Sequence, residues 1–154
     1  MKQGFVKVAS ATPRIRVADP VYNAQVICEQ AKEAAEHGAK IVVFPELCIT
    51  GYTCNDLFLQ ELLLEKAKEA LLTIAEETGQ LETLFLVGLP VDKDGRLYNV
   101  AAVLYRGRIL GMIPKKNIPM YAEFYEGRHF TPGEETVTEY RLGKQVIPFG
   151  SNLL

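Results

Sequence analysis

Ala39-Lys40-Ile41-Val42-Val43-Phe44-Pro45-Glu46 is the stretch on which the fold turns. The uninterrupted apolar, largely β-branched run Ile41-Val42-Val43-Phe44 predicts a short strand buried on both faces. Pro45 stops it, because proline brings no N–H to a sheet ladder. Upstream, Asp19-Pro20 offers a helix N-cap and an N1 proline. Val21, Ala24, Cys28, Ala31 and Ala35 then recur at helical spacing as far as Gly38, placed to take the left-handed conformation past the helix end. Before that helix, Phe5 to Ala11 reads as a first strand ended by Thr12-Pro13, so the chain opens as β-α-β.

Working downstream, a second helix is expected from about Gln60 to Thr78, with Leu63, Ala67, Leu71, Ile74 and Ala75 on one face and Gly79 just beyond. Leu84 to Leu89 predicts a third buried strand. Asp94-Gly95 and Arg106-Gly107 are hairpin dipeptides that divide the apolar runs 97–105 and 108–113 into an antiparallel meander. Residues 114–135, rich in Pro, Gly, aromatic and charged side chains, predict a long functional loop holding one helical turn. Weaker strands near 136–141 and 145–148 flank Leu142-Gly143. An apolar run starting at Leu153-Leu154 suggests that the natural chain continues, and neither a repeat nor a linker divides these residues.

Composition narrows the partner. With 17 Lys+Arg against 19 Asp+Glu the net charge is −2, which leaves no basic field for nucleic acid or an anionic membrane. No apolar stretch approaches the ~20 residues that cross a bilayer. Met1-Lys2-Gln3-Gly4 running into Phe5-Val6-Lys7-Val8 has no signal-peptide core, so a cytoplasmic location is expected. The odd number of cysteines, Cys28, Cys48 and Cys54, fits a reducing compartment.

Two places share one design, an apolar strand followed by proline and a charge: Phe44-Pro45-Glu46 and Ile113-Pro114-Lys115. Strand ends are where α/β sheets build ligand sites. A carboxylate and an ammonium facing each other there would supply a general base beside a cation able to stabilise an oxyanion. Taken alone, both also read as solvated residues opening loops. Cys28 reads as core filler. Cys48 and Cys54 read as buried small thiols, with a nucleophile as the alternative. His37 suits the end of the first helix, and His129 packs or meets ligand. Gly51 stands in no phosphate-loop context. Tyr121, Phe124, Tyr125 and Phe130 read as a hydrophobic patch over the core.

Phe44-Pro45-Glu46-Leu47-Cys48-Ile49-Thr50-Gly51-Tyr52 resembles the first signature of the nitrilase, or carbon-nitrogen hydrolase, superfamily. Thr53-Cys54-Asn55-Asp56-Leu57-Phe58 and the run from Pro114-Lys115-Lys116-Asn117 through Tyr121 and Glu126 to Phe130 are similar to the amidase domain of the glutamine-dependent NAD synthetase family. That resemblance implies an α/β fold, the N-terminal portion of an α-β-β-α sandwich with a mixed sheet. It also implies Glu46 as general base and Lys115 as the oxyanion lysine, with Glu126, Tyr52 and Tyr121 around the substrate amide; Lys116 departs from the strand-end register. The family's nucleophilic cysteine lies downstream of these residues, and none of the three cysteines matches it. The implied partners are L-glutamine and, through a further domain, nicotinic acid adenine dinucleotide with ATP and Mg2+; the family forms homo-oligomers. Two other readings stay open, a stand-alone amidase for another small amide and a non-catalytic binding or assembly module.

Overall fold

Residues 4–152 are described by the structure, a computed structural model. The polar start of the chain at 1–3 and the apolar pair at 153–154 lie outside the described residues. Strands β1 (Val8–Ser10), β2 (Ile41–Val43) and β3 (Leu84–Lys93) run parallel, and β4 (Arg96–Tyr105) and β5 (Arg108–Pro114) follow as an antiparallel meander. Strands β6 (Thr138–Leu142) and β7 (Gln145–Phe149) form a hairpin whose second strand joins β5 in parallel. The result is one mixed seven-stranded sheet in the order β1-β2-β3-β4-β5-β7-β6. At the first two hairpins the expected dipeptides hold positive φ at both central positions, 51° and 74° at Asp94-Gly95 and 49° and 75° at Arg106-Gly107, the twist that returns a strand on its neighbour.

Helix α1 (Pro20–Glu36) starts where expected, with the Asp19 carboxylate accepting from the Tyr22 N–H at 3.1 Å. Its buried face is turned from the one expected: Val21 is exposed, while Asn23 and Ile27 are fully buried beside Ala24, Cys28 and Ala31. Asn23 is a polar side chain that a hydrophobic pattern does not count. Helix α2 (Glu61–Glu77) buries the predicted set Leu63, Ala67, Leu71, Ile74 and Ala75. Both helices cover one face of the sheet, packing on Val42, Phe85, Val87, Leu89, Val100 and Ala102.

The expectation that β2 is buried on both faces is corrected. Val42 is buried, but Val43 is 45% exposed, because the register places it with Leu86 and Val103 on the face that no described element covers. β1 is shorter than expected, and β3 continues past Leu89 through Pro90. Proline is tolerated there because β2 ends opposite Leu86 and the flank beyond has no ladder to break. No helix among the described residues is long and apolar enough to cross a membrane.

Candidate active site

Glu46 follows β2 in a tight elbow. Phe44 N donates to Leu86 O at 2.9 Å and Ile49 N to Gly88 O at 3.1 Å, so both arms of the elbow are tied to β3. Between them Leu47, fully buried, takes φ 53°, a left-handed conformation costing about 1–2 kcal/mol in a residue with a side chain. The buried Asn23 amide pins the far end, donating to Ile49 O at 2.9 Å and Arg16 O at 2.7 Å.

Gly88 is required by this arrangement. A Cβ there would stand 2.4 Å from Leu47 N and 2.7 Å from Pro45 O, both backbone atoms of the elbow. Gly88→Ala is therefore expected to weaken the elbow by about 1–3 kcal/mol. Amide exchange at Ile49, whose N–H bonds to Gly88 O, should then accelerate roughly 10- to 100-fold; unchanged protection would show that the elbow does not depend on this approach.

Lys115 leaves the end of β5, its N–H donating to Asn99 O at 2.7 Å and its carbonyl accepting from Gly133 N at 2.8 Å. Glu126 sits in the single 3₁₀ turn Glu126–Arg128 of the long loop. That turn is anchored by Phe130, buried with Leu47, Cys54, Phe58 and Leu63 in a second apolar cluster. The two strand-end charges and the loop carboxylate meet: Lys115 Nζ lies 2.7 Å from Glu46 Oε1 and 3.0 and 2.9 Å from Glu126 Oε1 and Oε2. The Tyr52 hydroxyl donates to Glu126 Oε1 at 2.7 Å. Glu126 is 6% exposed, a buried carboxylate held by a cation and a phenol.

Burial pulls the Lys115 ammonium down, but its hydrogen bonds to Glu46 and Glu126 and their charges more than offset this, leaving its pKa above the ordinary lysine value. Lys115 is thus a fixed cation at neutral pH and not a base. Desolvation, then donation to Glu126 and the two carboxylate charges, pushes the Tyr52 phenol up, so it remains a donor. A cavity of about 370 Å³ on the uncovered sheet face brings Glu46, Asn99 and Lys115 together with Val43, Gly88 and Ile113.

The other candidates fall elsewhere. Tyr121 is 69% exposed and packs edge-on to Phe124, with no hydrogen bond to the cluster among the described residues. The expected aromatic patch is corrected: Phe130 enters the core, whereas Tyr121 and Tyr125 are exposed on a loop that no strand or long helix among the described residues covers. Desolvation pushes the Cys28 thiol up to about 11 and the Cys48 thiol up to about 12, and raises Cys54, so the thiols are packing groups. His37 Nδ1 lies 2.8 Å from Glu33 O at the end of α1, and His129 packs against Phe58. Lys116 pairs with Glu135 on the surface. A Cβ on Gly51 would meet Ile15 and Val17, so that glycine faces protein and cradles no phosphate. No group of three or more potential metal ligands is found among the described residues.

Sequence reasoning missed Asn99. Its side-chain amide donates to Glu46 Oε1, and it is 4% exposed. The one signal was a lone amide within the apolar strand run Leu97-Tyr98-Asn99-Val100-Ala101.

A mixed sheet with helices on one face and a carboxylate–lysine–carboxylate cluster at its strand ends defines the class, and the carbon-nitrogen hydrolase family model matches residues 7–151: the chain belongs to the carbon-nitrogen hydrolase family. More particularly, it is 39% identical over 153 residues to the glutamine-dependent NAD(+) synthetase of Mycobacterium bovis, 99% of this chain and 22% of that protein. The protein of that name from Thermotoga maritima is 36% identical over 135 residues, 88% of this chain and 23% of the relative. The crystal structure of a glutamine-dependent NAD(+) synthetase from Cytophaga hutchinsonii superimposes with a TM-score of 0.88 at 29% identity, covering 94% of this chain and 25% of that one. The chain thus spans about a quarter or less of the length of these relatives.

Proposed function

We propose that residues 1–154 are the N-terminal portion of a glutaminase domain that releases ammonia from L-glutamine, in a longer polypeptide that uses it to amidate nicotinic acid adenine dinucleotide. The observation that carries this reading is the Glu46–Lys115–Glu126 cluster, with Lys115 Nζ within 3.0 Å of both carboxylates, in a chain related over 99% of its length to glutamine-dependent NAD(+) synthetases. Glu46 takes the proton of a cysteine thiol supplied by the downstream part of the domain, and the thiolate attacks the amide carbon of glutamine. Lys115 stabilises the oxyanion, and the proton held by Glu46 passes to the nitrogen as ammonia leaves. Glu126, bound to the Tyr52 hydroxyl, keeps Lys115 aimed and orients the substrate amide; Tyr121 closes over the substrate from the exposed loop. ATP and Mg2+ are assigned to a synthetase domain outside these residues. A cytoplasmic, homo-oligomeric protein completes the reading.

The test uses the full-length polypeptide with ATP, nicotinic acid adenine dinucleotide and glutamine labelled with 15N at its amide. Label in the carboxamide of NAD is expected even against excess unlabelled ammonia. Glutamine hydrolysis that proceeds without ATP-dependent NAD formation would favour a stand-alone amidase, and glutamine bound without turnover would favour a binding module.

A further inference from the structure

We infer that Asn99 is a positioning residue that holds Glu46 by one carboxylate oxygen and thereby assigns proton transfer to the other. The inference rests on the glutaminase reading of the site. Two donors converge on Glu46 Oε1: the Asn99 side-chain amide from β4, and Lys115 Nζ at 2.7 Å from the end of β5. No donor reaches Oε2 among the described residues, so Oε2 is the oxygen free to accept a proton. The two donors differ in what they fix. An ammonium on a four-carbon stem is a point charge that follows the carboxylate through many orientations, whereas an amide N–H on a short, buried side chain points one way.

The anchor is itself well held. Asn99 is 4% exposed while the Glu46 side chain is 41% exposed, so the fixed partner is the asparagine and the mobile one is the glutamate. The Asn99 carbonyl also accepts from Lys115 N at 2.7 Å. One residue therefore sets the register of both charges, its side chain on the base and its main chain on the lysine. Asparagine suits this position because its amide donates to a carboxylate at any pH without adding charge to the cluster of two carboxylates and one ammonium. Aspartate, almost the same size, would place a third carboxylate against Glu46.

That contrast supplies the test, because a packing role and a donor role rank the same two substitutions oppositely. In the full-length polypeptide, Asn99→Ala should lower the glutaminase kcat about 10- to 100-fold with KM within about twofold. Asn99→Asp, which preserves the shape, should be roughly tenfold worse again in kcat, since it replaces the donor with repulsion. Where Asn99→Ala does not fold, Asn99→Ser takes its place. Asn99→Asp milder than or equal to the truncation, or losses that appear in KM and not in kcat, would overturn the inference. Glu46→Gln, assayed alongside, separates the two levels: if it retains glutaminase activity, the reading of the site has failed, whereas its inactivity beside a fully active Asn99→Asp sinks only the role of Asn99.

Discussion

Glu46→Gln in the full-length polypeptide should lower glutamine-dependent NAD formation by roughly 10³- to 10⁴-fold, while formation from free ammonium salts continues. The substitution is close to isosteric. A glutamine carbonyl at Oε1 can still accept from Asn99 and from Lys115, now 2.7 Å away, so the elbow and the lysine keep their places. What is lost is the basicity of the second oxygen, replaced by an NH2 that only donates. The loss should fall on kcat and leave KM little changed, because on the proposed reading the base acts on the thiol proton and not on glutamine binding. On the proposed reading, ammonia entering directly would bypass this site, so the two nitrogen sources report separately on the glutaminase and on the synthesis. A glutamine-dependent rate within tenfold of the wild type would remove Glu46 from the base role.

Lys115→Met is expected to act on both rate and stability. Its rate effect combines a lost oxyanion cation, about 10²- to 10³-fold, with a base no longer held by its partner. Its stability effect comes from Glu126, which at 6% exposure would keep a buried charge with, among the described residues, only the Tyr52 hydroxyl to answer it. Removing one member of a buried pair costs about 3–5 kcal/mol, and with Lys115 and Glu46 partly open to water the lower end applies. The linkage has a definite sign. A lysine whose folded pKa is raised stabilises the fold fully below its unfolded value near 10.4, and the contribution disappears only as pH rises through the higher folded value. The lysine's own contribution should therefore be constant across neutral pH, and the deficit of Lys115→Met should narrow toward acid, where a proton neutralises the unpaired Glu126 carboxylate. Adding Glu126→Gln to Lys115→Met discriminates further: removing the uncompensated charge should recover much of the denaturation midpoint while the glutaminase rate stays lost. Recovery of both would mean that Lys115 serves structure alone.

The opening β-α-β unit, the second helix and both hairpin dipeptides were legible in the sequence because each rests on local rules: N-caps, apolar periodicity and turns that demand positive φ. The boundaries that shifted did so for non-local reasons, as with Pro90, tolerated inside β3 only because β2 has already ended. The shared design of apolar strand, proline and charge singled out Glu46 and Lys115, and the family resemblance gave each a role, but they lie sixty-nine positions apart along the chain. Their approach to 2.7 Å depends on the β3-β4-β5 register and on the close backbone contact at Gly88. Asn99 and Asn23 were not legible at all. Each is a polar residue in an element read by its apolar neighbours, and its purpose is a hydrogen bond to a segment distant in sequence. Sequence alone determined the opening β-α-β unit, the second helix, the hairpin strands and which charged residues stand at strand ends, since capping, periodicity and turn chemistry act over a few residues, whereas the 3₁₀ segment Tyr52–Leu59 carried no such local signal. Only the tertiary structure decided which oxygen meets which donor, because that depends on sub-ångström packing between segments that the chain order leaves far apart.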